Sequence, residues 1–246
     1  MAKKAFANDD FINNPAARIP VCLCLDISSS MDAPVSDGSG RYREFGGCRS
    51  KMDFLKDGIR HLYDDLKANP DTRYAVDIAV VSFADDGDIV TDFSGVRGQS
   101  GAFDLKPCGM TNMGAGVNLA LNLLNARKNE YKWAGREYYQ PWLILMTDGD
   151  ANINMGGLHE AQRRVSDSIK SDKLIFIPVG FGPKESFGRN NELNKFSDTV
   201  RAVRYDTIDY RMFFKWLSES MDEVSRSRTT ETFTPGEMPG NYEYMD

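Results

Sequence analysis

Histidine is almost missing from this chain: His61 and His159 are the only two in 246 residues, which leaves little for zinc chemistry or histidine-based hydrolysis. Cysteine is nearly as scarce, and none of Cys22, Cys24, Cys48 and Cys108 makes the C-x-x-C spacing of a zinc site. Cys22 and Cys24 fall on the same face of one strand, so they do not bridge each other, and the set reads as free or buried thiols of a reducing compartment. There is no phosphate-cradling G-x-x-x-x-G-K-[ST] loop and no G-x-S-x-G nucleophile elbow, which sets aside nucleotide hydrolysis and Ser-His-Asp chemistry. No apolar run approaches a membrane-spanning length, and the opening M-A-K-K-A-F-A-N-D-D has lysines but no apolar core behind them, unlike a signal peptide. A formal charge of −6 without any basic block argues against a nucleic-acid partner. The expectation from these absences is a cytoplasmic protein that binds neither nucleic acid nor membrane.

What is present is an ordinary globular composition, 41% hydrophobic and 27% charged, enough for one large α/β domain. The stretch that organises it is Arg18 to Met31, R-I-P-V-C-L-C-L-D-I-S-S-S-M. Ile19 to Leu25 is apolar almost without interruption, which suits a strand buried on both faces. The run stops at Asp26, and oxygen-bearing side chains follow at alternate positions, Asp26, Ser28 and Ser30. An acid and two hydroxyls at the carboxyl end of a central strand sit where open parallel sheets place ligands, and hard oxygens suit magnesium. Asp and Ser are equally common in helix caps and Asx turns, so on this stretch alone both readings stand.

A second apolar run, Trp142 to Met146, ends in Thr147-Asp148-Gly149-Asp150 and repeats the arrangement. Between the two lies P-C-G-M-T-N-M-G-A-G, with Thr111 just before a helical run from Met113 to Arg127. Together these pieces resemble the metal-ion-dependent adhesion site of the von Willebrand factor A family. Its D-x-S-x-S is met by Asp26, Ser28 and Ser30, its lone threonine by Thr111, and its T-D-G turn by Thr147, Asp148 and Gly149. The resemblance covers residues 18 to 226 and is nearest to the bare, single-domain bacterial TerY-like or YegL-like branch. It implies that Ser28, Ser30 and Thr111 bind Mg2+ directly, with Mn2+ or Ca2+ as possible substitutes, while Asp26 and Asp148 act mostly through water. It also implies a protein partner that presents Asp, Glu or a phosphorylated residue, and work in a stress-response or tellurite-resistance-like system beside a kinase and phosphatase.

The remaining segments predict a doubly wound, mostly parallel sheet with helices on both faces and one antiparallel edge strand. Residues 1–17 read as a mobile leader and 227–246 as a disordered tail, flanking a domain at 18–226. Asp32 to Ser50, rich in Gly, Ser and Arg, reads as an insertion off the metal loop, either shaping partner access or simply tolerated at the surface. Ser50 caps a helix striped by Met52, Leu55, Ile59, Leu62 and Leu66, with Asp53 completing a capping box. Tyr74 to Phe83 and Ile89 to Phe93 read as a hairpin around the solvated acidic turn Asp85-Asp86-Gly87-Asp88. Gly114 and Gly116 open the next helix with room for close approach, and Lys128 to Gln140 reads as a surface crossing whose Trp133, Tyr138 and Tyr139 either meet a partner or pack over helix ends. Later elements are a helix at Leu158 to Ser171, a strand at Leu174 to Gly180, a short helix at Phe187 to Phe196, a strand at Val200 to Tyr205, and a helix striped by Tyr210, Phe213, Leu217, Met221 and Val224. The strands ending in Asp26 and Asp148 then belong side by side at the topological switch.

Two carboxylates meeting there repel unless a cation joins them. An enzymatic alternative is a magnesium-dependent phosphoryl-transferring hydrolase of haloacid-dehalogenase type, but that chemistry needs a second acid two residues after the first, where Ser28 stands. The expected function is therefore a non-catalytic binding module. Asp150 is placed either to join the site's outer shell or to serve at the surface.

Overall fold

The computed structural model describes residues 16–35, 49–152, 156–188, 191–205, 210–227 and 237–245. Its frame is a seven-stranded sheet in the order β3-β2-β1-β4-β5-β6-β7. The strands are β1 (Ile19–Asp26), β2 (Val76–Phe83), β3 (Gly87–Gly95), β4 (Trp142–Thr147), β5 (Ile175–Phe181), β6 (Val203–Tyr205) and β7 (Tyr242–Tyr244). The main helices are α1 (Lys51–Ala68), α2 (Met113–Trp133), α3 (Leu158–Lys170) and α4 (Tyr210–Arg226). Strands β2, β1, β4, β5 and β6 run parallel, and β3 returns antiparallel along one edge. The expected architecture is present.

All eight residues of β1 are buried, and their alternation divides them between two cores. Ile19, Val21, Leu23 and Leu25 join the apolar stripes of α1 and α4 on one face. Cys22 and Cys24 point to the opposite face, among Met113, Val117, Leu121 and Leu124 of α2 and Leu158, Ala161 and Val165 of α3. Two covered faces explain why the strand has no polar alternation, since each residue faces one helical layer or the other. Burying one such aliphatic side chain contributes about 1.5–3 kcal/mol.

The helix layers are close enough to require glycine at particular points. A Cβ on Gly58 of α1 would lie 2.6 Å from the Phe214 ring of α4. On Gly116 it would meet Phe83 Cβ at 2.7 Å, and on Gly114 the Leu158 backbone nitrogen at 2.5 Å. The two α2 glycines thus serve helix–strand and helix–helix packing. The expected cap of α1 is present in full: Ser50 Oγ accepts from Asp53 N–H at 3.2 Å, and Asp53 Oδ2 accepts from Ser50 N–H at 3.0 Å.

Several boundaries differ from the sequence pattern. Helix α2 runs on to Trp133, so the first part of the expected surface crossing is helical. Trp133 is 86% exposed, while Tyr138 stacks on the buried Tyr131 ring, centroids 5.4 Å apart. The expected helix at 187–196 is a 3-10 turn at Glu192–Phe196, and the sixth strand shortens to Val203–Tyr205. In the expected disordered tail, Tyr242–Tyr244 instead pair antiparallel with β6. Three residues carry no readable alternation, and it is the β6 edge and Met245, packed in the second core, that hold them. Most of the leader and of the 32–50 insertion lies outside the described residues. Among those described, no helix is long and apolar enough to cross a membrane.

At the amino-terminal end of the sheet, Asp77 of β2 is fully buried and ties β2 to the residue preceding β1 and to α2. It accepts from Arg18 Nε at 3.2 Å, from Arg127 Nη2 of α2 at 2.7 Å, and from the Tyr131 hydroxyl. Burial would raise this carboxyl, but the two guanidiniums and the phenol outweigh it and hold Asp77 below the usual carboxylate range. This cluster locks one end of the sheet and leaves the other end to the site.

Candidate metal centre

Strands β1 and β4 pair in parallel with Leu25 opposite Met146, so one further residue brings Asp26 beside Thr147 and the next step reaches Asp148. The local chain then determines where each oxygen points. Asp26 is completely buried, with Oδ1 accepting from Ser28 N–H at 2.7 Å and Oδ2 accepting from Thr147 Oγ1 at 2.6 Å. Ser29–Asp32 coil into one 3-10 turn, which directs the alternate hydroxyls back toward β4. Ser28 Oγ and Ser30 Oγ lie 3.0 Å apart, and Ser30 Oγ donates to Asp148 Oδ1 at 2.7 Å. Four of the five expected residues therefore share one connected site.

Thr111, the fifth, is placed through its backbone. Its loop is tied to the first metal loop by Cys108 N–H to Ile27 O at 2.7 Å and Ser29 N–H to Gly109 O at 3.1 Å. It is tied to the acidic turn by Met110 N–H to Asp85 Oδ1 at 2.9 Å and Asn112 N–H to Ala84 O at 2.7 Å. Thr111 O in turn accepts from Asn152 N–H at 3.0 Å, joining the loop after β4. The threonine is half-buried at the meeting point of three loops, and its hydroxyl makes no hydrogen bond among the described residues. Asp85 is thus a brace for this loop, a role the solvated-turn reading overlooked.

Asp150 is partly buried beyond the T-D-G turn and braces a neighbouring segment. Its Oδ1 accepts from Ala151 N–H and from Glu192 N–H, both at 3.0 Å, and so anchors the 3-10 turn at Glu192–Phe196.

Burial pushes the Asp26 carboxyl up to about 6, partly opposed by the hydrogen bonds from Ser28 and Thr147 and increased by the nearby Asp148 charge. Tyr210, the first residue of α4, lies beneath the pair: burial first, then Asp148 and Asp26, raise its phenol well above its ordinary value. Two acids in a dry setting call for positive charge. One source is Lys51, whose Nζ lies 2.6 Å from Asp148 Oδ2, with only 15% of the lysine side chain and 1% of the aspartate exposed. The contact joins residues 97 positions apart and belongs to no local motif. The available signal was position, since Lys51 opens α1 immediately after the Ser50 cap, at the end of the segment leaving the metal loop.

The donor chemistry fits a hard divalent cation. Ser28, Ser30 and Asp148 form a continuous line of oxygens with Asp26 behind it. Among the described residues, no three His, Cys, Asp or Glu side chains gather as a metal-binding group, so any site here depends on hydroxyls.

The model of the von Willebrand factor type A domain matches residues 21–212, and the chain belongs to that family. No curated protein matches it in sequence. Among solved structures, the von Willebrand factor type A protein from Catenulispora acidiphila is similar, with TM-score 0.55 and 17% identity over 84% of this chain and 43% of that one. BatB from Bacteroides thetaiotaomicron, described as a conserved hypothetical protein, gives TM-score 0.52 and 18% identity over 85% of this chain and 100% of its own. Proximal thread matrix protein 1 from the mussel byssus, in a structure with a zinc-occupied MIDAS motif, gives TM-score 0.51 and 17% identity over 84% of this chain. This chain spans 48% of that mussel protein's length.

Proposed function

We propose that this chain is a magnesium-dependent protein-interaction module. Ser28, Ser30 and Thr111 would hold the cation directly, with Asp26 and Asp148 acting mostly through water and orienting the hydroxyls. The observation that carries this reading is the unbroken oxygen line Ser28–Ser30–Asp148 at the carboxyl ends of adjacent central strands. A divalent cation bound there supplies an electrophilic point contact for an anionic group. Oxygen donors favour Mg2+, with Mn2+ or Ca2+ as substitutes, and the zinc in the mussel protein's MIDAS motif supports a divalent ion in this fold position.

The partner is a protein presenting Asp, Glu or a phosphorylated side chain. Met110, next to Thr111, is 55% exposed and gives the rim an apolar contact. No bond is broken in this reading: Ser28 stands two residues after Asp26, where the phosphoryl-transfer alternative needs a second acid. The resemblance to the TerY-like and YegL-like branch supports work in a stress-response or tellurite-resistance-like system beside a kinase and phosphatase, and the sparse cysteines, unpaired among the described residues, support a cytoplasmic address.

The test is thermal. Mg2+ or Mn2+ should raise the melting temperature by mass action, and Asp26→Ala and Asp148→Ala should abolish the gain. Equal gains in all three proteins would count against the site. Turnover of aryl phosphates that disappears in Asp26→Asn would favour the hydrolase instead.

A further inference from the structure

Lys51 places an ammonium group on the carboxylate that closes the oxygen line. Asp148 Oδ1 accepts from Ser30 and Oδ2 accepts from Lys51, so both of its oxygens are occupied by the chain's own groups. The lysine is firmly positioned. Its backbone N–H donates to Ala33 O at 3.1 Å, and Pro34 bridges Ser50 just beside it. The neighbouring cation, Arg49, is committed elsewhere, to Asp57 and to the Phe54 ring at 4.3 Å. Among the described residues, Lys51 is the cation paired with the acids of the site.

We propose that Lys51 is the resident counter-cation of the metal site, which stabilises the metal-free protein and competes with the divalent ion for Asp148. This inference rests on the metal site proposed above and deepens it. Two carboxylates and one ammonium leave the site one negative charge when it holds no ion. A divalent ion whose bound water takes an Asp148 oxygen faces the ammonium as a like charge in a poorly hydrated setting, so metal entry weakens or displaces the Lys51 contact. The lysine thus offsets one of the two acid charges at low metal and raises the ion concentration needed for occupancy.

The experiment measures Mg2+ and Mn2+ dissociation constants by calorimetry, and melting temperatures with and without metal, for wild type, K51Q, K51M and K51R. K51M retains the apolar stem, so it reports on charge where K51Q also shortens the side chain. Expected are a roughly tenfold fall in the metal dissociation constant for K51Q and K51M, about 1.4 kcal/mol of binding, with a lower melting temperature in the absence of metal. K51R should stay near wild type on both measures. Metal binding of equal strength in wild type, K51Q and K51M would overturn the competition while leaving the metal site intact. No metal binding in any of the four would overturn both readings.

Discussion

Asp26 and Thr147, 121 residues apart in sequence, share a 2.6 Å hydrogen bond across the β1–β4 pair. This bond ties the two acidic loops together independently of any ion. Replacing Thr147 with valine preserves shape and leaves a buried carboxylate oxygen without its donor. The expected cost is about 1–3 kcal/mol. Urea unfolding of Thr147→Val in chelator, with Thr147→Ser as the control that keeps the hydroxyl, measures it. An unchanged valine midpoint would show that the bond contributes nothing.

Gly109 has φ +64°, and a Cβ there would lie 2.6 Å from Asp85 Oδ2. Gly109→Ala should therefore cost at least the roughly 1–2 kcal/mol of a left-handed non-glycine residue. It should also push the Asp85 brace away from Met110 and displace Thr111. The expected outcome is a lower melting temperature together with a smaller metal-induced rise. A full metal response in this variant would separate the brace from the site.

The Asp77 cluster predicts an acid limb in stability. Because its folded pKa is held below the ordinary 3.8, its contribution is present above that pH and is lost as pH falls through the lowered value. Asp77→Ala removes the carboxylate from two guanidiniums that are each 5% exposed, which should cost about 3–5 kcal/mol at neutral pH. Urea midpoints measured from pH 7 down to pH 3 should show the difference between wild type and variant narrowing at the acid end. A constant difference would contradict the linkage.

Partner binding should depend on the metal and on Thr111. A chelator or Thr111→Ala is expected to reduce partner affinity sharply, whereas deleting Ser36 to Gly47 should weaken it and leave metal affinity nearly intact. A pull-down from native lysate with and without chelator identifies the partner, and titration of each variant separates the two affinities. Partner binding that persists in chelator would place the interface on another surface.

The elements easiest to read in the chain were those with long repeating signals. Ile19 to Leu25 is apolar because both faces of β1 are covered, and α1 shows its stripe at helical spacing, so sequence periodicity and burial coincide. The antiparallel return of β3 followed from two strand-like runs around a four-residue turn. The edges were illegible for the same reason. Tyr242–Tyr244 are held by pairing with β6, and three residues contain no period to detect.

The site divides in the same way. Asp26, Ser28, Ser30, Thr111 and Asp148 were readable because each lies in a local motif, at a strand end or before a helix. By itself the sequence determined the fold class and the identities of these oxygens, since alternation, caps and motif spacing are short-range properties of the chain. Only the tertiary structure decided that Thr147 donates to Asp26, that Asp85 braces Thr111, that Asp150 anchors Glu192, and that Lys51 lies against Asp148. These contacts join residues from 25 to 121 positions apart, and strand register and helix placement bring them together; no local pattern encodes that distance.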